Sequence, residues 1–568
     1  MFSQRRVRSA LAILLASASM VACAGPSASP QAANGQPQPA APQKALVLIT
    51  RQETPSVSGT ALVPGNFTIG SQRRPFNAWL SSGDANDKPS PYLAESLPQL
   101  NTESWKVTPD GKMETIYRLR PNITWHDGTA FSAEDFVFAW KVYTTPDFGL
   151  SASRPHVAME EVQAPDARTV VVIWKQLYPD AGILGTNFAP LPRHILETAL
   201  PQGRDFFLNQ PYWTTKFVGA GPYKLDRWEP GAFIEGSAFD GHILGRPKIE
   251  KIRISFIGDA DIVLANLLSG DCHIPVDNSI RVQQALVLNE KWGPTGGTII
   301  YLPTLWRWSY VQHRPEYANP KAILDLGVRK ALMHAMNKTE LNNAILDGKG
   351  IMSDSFVPPG VNYFPDVDKT VAKYPFDLRR TEQLMNEAGY AKGADGIYAG
   401  PEGKPSFEYR VISSAQNDAE RSVLADGWRK AGFAIDEANF SPAETSQGET
   451  SSTFRTLWTS SGGQGEAFMV NPVTSLIPGP ENNWRGSNRG AWSNADYDRI
   501  VNTFSNTLDR SQRDQLIVQA AKVITENLGV MPLFFNPAAW AWPSSVQGVN
   551  IIAPTTEPTW NIHEWTFK

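Results

Sequence analysis

From about Lys44 to the C-terminus the chain alternates short strand-like apolar runs with segments that open on capping residues and continue at helical spacing, and no fixed-period repeat intervenes. Such a chain must lay helices against sheets to cover the apolar face of each, which predicts an α/β fold. Glu114–Tyr143, ETIYRLRPNITWHDGTAFSAEDFVFAWKVY, shows the logic. Ile116, Arg118 and Arg120 alternate with Tyr117 and Leu119 in a strand, and Asp127-Gly128 supplies a turn. Ser132 precedes Asp135 at capping-box spacing, with Phe136, Val137, Trp140 and Tyr143 on one helical face. The same rules start helices at Asn337 (with Glu340), Asp377, Ser493 (with Asp496) and Ser511 (with Asp514), and stop two of them at Gly348 and Gly389. Leu341, Ala344 and Ile345 are expected to face inward, as are Tyr497, Ile500, Val501 and Phe504, then Leu516, Ile517, Ala520 and Ile524.

The N-terminus reads differently. Arg5, Arg6 and Arg8 precede an uncharged, mostly apolar run from Ala10 to Ala22 that stops at Cys23. At 1.5 Å per residue that run spans about 20 Å, short of the roughly 30 Å hydrocarbon core, so residues 1–22 are read as a cleaved signal peptide. A cysteine directly after Ala22 resembles a lipobox, which makes Cys23 the expected lipidation site. Ala24 to Gln43 holds no charge and no large apolar side chain, so 23–44 is expected to be a lipidated cysteine and flexible linker. Lipidation of Cys23 would leave Cys272 as the one remaining thiol, with no intrachain disulfide and stability resting on packing.

The body, about 45–568, is long enough for two or three domains, and 42% apolar with 19% charged residues is ordinary for soluble globular material. The formal charge of −4 becomes −4 − 3 = −7 once the three signal arginines are removed. Without a basic surplus or a Lys/Arg run, nucleic acid is not an expected partner.

Six segments, in order, carry a resemblance. They are PYLAESLPQLNTESWKVTPDGKMETIYRLRPNITWHDGTAFSAEDFVFAW, VGAGPYKLDRWEPG, LANLLSGDCHI, LGVRKALMHAMNKTELNNAILDGKG, YPFDLRRTEQLMNEAGY and VMPLFFNPAAWAW. Together they resemble the family 5 extracellular solute-binding proteins of ABC importers, the peptide and oligopeptide-binding family. The resemblance implies a two-lobed periplasmic-binding-protein-like fold of type II with an extra subdomain inserted in lobe I. Carried over, lobe I is 45–75 plus 212–303 plus 530–568, the inserted subdomain 76–211 and lobe II 304–529, with crossings near Thr304–Gln312 and near Gly529. It also implies a receptor without catalysis or cofactor that captures a peptide or similar small polar solute by hinge closure. The expected partners are that ligand, the permease and ATPase subunits of the importer and a membrane reached through the lipid anchor. The expected state is a monomer, at the outer face of the cell membrane or in the periplasm. An extracellular enzyme and a ligand sensor are the competing readings.

Several tempting motifs have plain structural explanations. His126-Asp127 lacks an HExxH or a second nearby histidine, and the Asp-Gly turn accounts for it; Cys272-His273 ends an apolar helix, where a lone cysteine acts as a small hydrophobe. Gly219-Ala220-Gly221-Pro222 lacks the third glycine and the lysine of a phosphate cradle, and no GxSxG elbow occurs. What exceeds background is aromatic: 18 tryptophans, several near the implied cleft. Trp306, Trp308 and Tyr310 lie at the first crossing and should share a strand face. Trp458, Trp484 and Trp492 fall in a Gly/Ser-rich stretch. The resemblance implies an aspartate for the ligand's ammonium in the segment FRTLWTSSGGQGEAFMVNP, yet its one acid is Glu466. Trp306, Trp308, Tyr310, Trp458, Glu466, Trp484, Arg485 and Trp492 are therefore the candidate ligand-binding residues, Glu466 and Arg485 meeting opposite ends of a zwitterion, and no metal ligands are expected.

Overall fold

Two long antiparallel strands, Thr298–Val311 and Val530–Trp542, organise the chain. The computed structural model describes residues 45–59, 62 and 70–568; the expected signal peptide, Cys23 and the linker lie outside them. The ladder between the two strands breaks register between Pro303 and Trp306, opposite Asn536. On one side of the break Ile299, Ile300, Tyr301 and Leu302 pack with Ala538, Ala539, Trp540 and Ala541 against cores that also hold Leu46, Ile49, Ile252 and Val263. On the other side Trp306, Trp308, Tyr310 and Val311, with Val530–Phe535, enter separate cores built on Leu332, Tyr409, Trp428 and Ile517. The second change of core thus falls at Asn536, beyond the expected Gly529, because Val530–Phe535 still alternate into those cores.

Three sheets of four or more strands frame these cores among the described residues. A five-stranded sheet orders Ile274–Pro275, Leu46–Thr50, Lys251–Phe256, Phe233–Ala238 and Tyr223–Glu229, with parallel pairing on both sides of Leu46–Thr50. A six-stranded sheet orders Ile351–Met352, Val530–Trp542, Thr298–Val311, Leu457–Gly462, Ser406–Ile412 and Ala434–Phe440. A four-stranded antiparallel sheet runs Trp105–Val107, Met113–Arg118, Thr169–Trp174, Met159–Asp166. The mixed α/β class and the two-lobed fold anticipated from the sequence are what the chain adopts. No helix among the described residues is long and apolar enough to cross a membrane.

The parallel pair Ser406–Ile412 and Ala434–Phe440 needs a crossover, and helix Ala415–Ala431 provides it. Ser414 caps the helix by accepting from Asn417 N–H, and Gly432 ends it at φ +108°, where a Cβ would press on Gly396 O.

Capping chemistry placed other helices with small offsets. Asn337 accepts from Glu340 N–H and Asp377 from the N–H groups of Arg379 and Arg380, as expected. The last two helices are capped by Asn494 and Asp509 rather than Ser493 and Ser511, since those side chains reach the free N–H groups of Tyr497 and Gln512. Ala344 is exposed and Leu346 is buried in its place. At Ser132 it is the Asp135 carboxylate that reaches back to Ser132 N–H, 3.0 Å; it also accepts from Arg193 N–H and Trp125 Nε1.

His126 has the structural role the turn suggested. Its Nδ1 accepts from Gly219 N–H and its Nε2 donates to Gly221 O, 3.0 Å, while its backbone N–H bonds Gly219 O. Burial pushes its pKa down to about 4, which keeps Nδ1 free to accept. Both glycines are needed because a Cβ at either would collide with the Phe76–Asn77 backbone. Cys272 is buried and free, and His273 Nδ1 accepts from Val47 N–H.

Candidate functional site

The aromatic strand is packed, not open. Trp306 and Trp308 stack at 5.0 Å between centroids, Tyr310 meets Trp308 edge-on at 5.5 Å, and Phe468 wedges against both indoles. The three do share one face, and that face is core: Trp306 is 1% exposed and Tyr310 8%. Trp458 closes the cluster against Tyr310 and Phe440. Trp492 is buried against Tyr497 and over Gly529. Trp484, at φ +59°, is half-buried with its carbonyl against Gly448, and Arg485 is exposed.

A cavity of about 800 Å³ opens elsewhere, and none of the eight expected residues lines it. The ladder places 306–311 inside a six-stranded sheet, where large apolar rings contribute most as core.

The cavity is assembled from five separated segments. The hairpin Ser81–Gly83/Pro89–Pro91 forms one wall, its loop organised by Asp84 Oδ1 accepting from the N–H groups of Asn86 and Lys88. The C-terminal segment is tied to that hairpin where Ala85 O accepts from the N–H groups of Ile552 and Ala553 and from Thr556 Oγ1. This sets Thr555 and Glu557 at the cavity. A second wall, Pro179–Thr186, is fixed by buried Tyr117, whose hydroxyl donates to Ala181 O at 2.6 Å and accepts from Leu184 N–H at 3.1 Å. There Gly182 lies flat against the Trp105 ring, with a Cβ only 2.8 Å from it. Trp79 and Trp105 are the indoles of this site.

The opposite side comes from beyond the ladder break: Asn362, Leu508, Arg510 and Arg513. Arg513, 5% exposed, holds Asp180 with Nη1 and Glu466 with Nη2, each at 2.8 Å, so one guanidinium joins the Pro179–Thr186 wall to helix Arg510–Asn527. Arg510 reaches Glu466 and Asp514 at 3.3 Å, and Asn362 donates to Asp514. Glu466 is therefore not free for a ligand ammonium facing Arg485, because it already holds two arginines. Burial raises its pKa, opposed by Arg513 and Arg510.

Sequence reasoning missed Asp180, Arg510, Arg513 and Glu557. One signal was available: Arg510 and Arg513 occupy the first turn of their helix, which has no acid there, against the preference of the helix dipole for negative charge. Glu557, in a Thr-Thr-Glu-Pro segment, carried no such signal. No grouping of His, Cys, Asp or Glu able to hold a metal occurs among the described residues.

Separate cores joined by a broken two-strand ladder, with a charged cavity walled from both sides of the break, define a two-lobed solute-binding fold. Solved structures share it. An oligopeptide-binding protein from Thermus thermophilus complexed with a pentapeptide aligns with TM-score 0.63 at 23% identity over 92% of this chain and 96% of that one. NikZ from Campylobacter jejuni in complex with Ni(L-His) aligns with TM-score 0.66 at 20% identity over 93% and 100%. The dipeptide-binding protein of Escherichia coli (strain K12) is 25% identical over 459 residues, 76% of this chain and 79% of that protein. Residues 90–478 match the middle region of the bacterial extracellular solute-binding proteins, family 5. The chain belongs to that family.

Proposed function

We propose that this protein is the extracytoplasmic receptor of an ABC importer, capturing a peptide or similar small zwitterionic solute between its two lobes and passing it to the permease. The observation that carries this reading is the cavity itself. Its walls come from both sides of the register break, and they interleave acids (Asp87, Asp180, Glu557) with bases (Lys88, Arg510, Arg513) around two indoles. About 800 Å³ lies toward the upper end of small-ligand sites. Flat rings tolerate varied side chains while fixed charges orient the two ends of a zwitterion. The relatives' names, peptide-binding proteins among them, support the same class.

Lobe II, expected as 304–529, is read as 304–535, with bending at Thr304–Leu305 and Asn536, where the ladder is already broken. Cys23 is read as the lipidated N-terminus that holds the body at the membrane. No catalytic step is assigned, in keeping with a family defined by solute binding.

Small-angle scattering with a randomised tripeptide library tests the reading. A smaller radius of gyration at saturation is expected, and an unchanged radius with no library member retained rejects it.

A further inference from the structure

Resting on that reading, we propose that Glu557 is the residue that anchors the ammonium group of the ligand. The other charged groups lining the cavity are engaged elsewhere, exposed or of the wrong sign. Arg513 is held by Asp180 and Glu466, and Arg510 by Glu466 and Asp514. Asp180 is held in turn by Arg513. Asp87 stands exposed at the rim and is hydrogen-bonded to Thr555. Lys88 is exposed and is a cation. Glu557 alone among the cavity's acids is half-buried with no ion pair within 4 Å, and its buried Oε1 has no hydrogen-bond partner, among the described residues.

Its neighbours do not fill that need. Arg74 donates to Tyr92 Oη at 2.6 Å and to Trp560 O at 3.0 Å, and Arg73 donates to Gly59 O. Both guanidiniums act on Glu557 only through space. Asp277, also near, is bonded to Ser71 and Thr50 and adds repulsion. A carboxylate withdrawn from water without a partner is costly, and an arriving ammonium removes that cost. Arg510 and Arg513 line the same cavity from beyond the ladder break, and because Glu466, Asp514 and Asp180 already partly neutralise them, the directed charge that fixes the ligand's orientation is that of Glu557.

Titration adds a signature. Burial pushes the Glu557 carboxyl up to about 8, with Arg74 and Arg73 opposing and Asp277 reinforcing. A bound ammonium favours the ionised form, so capture at pH 6 must displace a proton that about half of the carboxyls have already lost at pH 8. Affinity for free-amine peptides should therefore rise between pH 6 and 7.5, where most of the peptide amine, with a pKa of about 7.7–8.0, still carries its proton. Asp277, pushed up to about 6 by burial, titrates in part of that window, and the E557Q variant separates the two.

The experiment uses the mature protein, a randomised tripeptide library with free N-termini and the same library N-acetylated, with retention after gel filtration read by mass spectrometry. Wild type should retain the free-amine library at least tenfold better than the acetylated one. E557Q should lose that preference and the pH dependence between 6 and 7.5, and E557D should recover part of both. Equal retention of the two libraries by wild type, or unchanged free-amine retention by folded E557Q, overturns the anchor and leaves the receptor reading standing. Retention of neither library by wild type overturns the peptide reading and the anchor with it.

Discussion

The aromatic cluster around Trp306 and the cavity around Trp105 are both built on tryptophan, and they use it in opposite ways. In the first, Trp306, Trp308, Tyr310 and Trp458 pack on one another and on Phe468, and the one cation over these rings among the described residues, Arg489, sits at the edge, 5.9 Å from the Trp458 ring. In the second, Trp79 and Trp105 stand beside Asp180, Arg513 and Glu557. The contrast lies in what stands opposite each ring. A strand inside a six-stranded sheet meets other apolar rows, whereas a hairpin and two loops meet the first turn of a helix that carries two arginines. Aromatic density marks burial; a binding site requires rings and uncancelled charge in one place.

The largest effect expected from this contrast is at Trp306. Removing a nearly fully buried indole leaves a cavity among Trp308, Phe356 and Phe468 and strands the Ser353 hydroxyl that its Nε1 bonds at 2.8 Å. Trp306→Ala should destabilise the protein by about 3–5 kcal/mol in urea or guanidinium titration. A variant with wild-type stability and lost peptide retention would move Trp306 from core to binding wall.

Arg513 ranks next, because it joins the two sides of the cavity. Arg513→Met keeps most of the apolar stem over Phe504, 4.4 Å from the guanidinium carbon, but leaves Asp180 and Glu466 without their shared cation. Asp180 is 37% exposed and can turn to water, while Glu466 keeps Arg510. The loss should therefore stay near the value of charge-assisted hydrogen bonds, about 1.5–3 kcal/mol, rather than that of a fully buried broken pair. Thermal melts at pH 7 check it, and an unchanged midpoint would mean that the strap contributes nothing in solution.

These two sites also show what could be read beforehand. The α/β class, a strand through Ile116 and Arg118, and the caps at Asn337 and Asp377 follow from local rules, since alternation and capping act over a few residues. The shared face of Trp306, Trp308 and Tyr310 was legible for the same reason. What that face meets was not, because it depends on Phe468 and Phe356, which only the sheet order brings near. The cavity was less legible still: residues 79–105, 179–186, 362, 508–513 and 555–557 converge through tertiary contacts such as Tyr117 to Ala181 and Ala85 to Ala553. Arg510 and Arg513, placed against the helix dipole, were the local trace of that site.

The smallest effect is expected at Arg485, and it bears on whether the Gly-rich stretch around it belongs to the site. Arg485 follows Trp484 at the end of a short turn, where Trp484 N–H bonds Gly479 O at 2.7 Å and Arg485 N–H bonds Asn482 O at 3.1 Å. Those are backbone bonds, so the turn survives changes of the Arg485 side chain. The guanidinium itself is exposed, forms no ion pair within 4 Å among the described residues and does not line the cavity. A solvated surface charge of this kind changes stability by no more than about 0.5 kcal/mol, and its field is screened over roughly 8–10 Å at ordinary salt. Arg485→Met should therefore leave both the melting temperature and the retention of free-amine tripeptides at wild-type levels. Calorimetry with a retained tripeptide decides the point: a tenfold loss of affinity would show that the bound form carries Arg485 into contact with the ligand, and that the cavity between Trp105 and Arg513 is only part of the closed site.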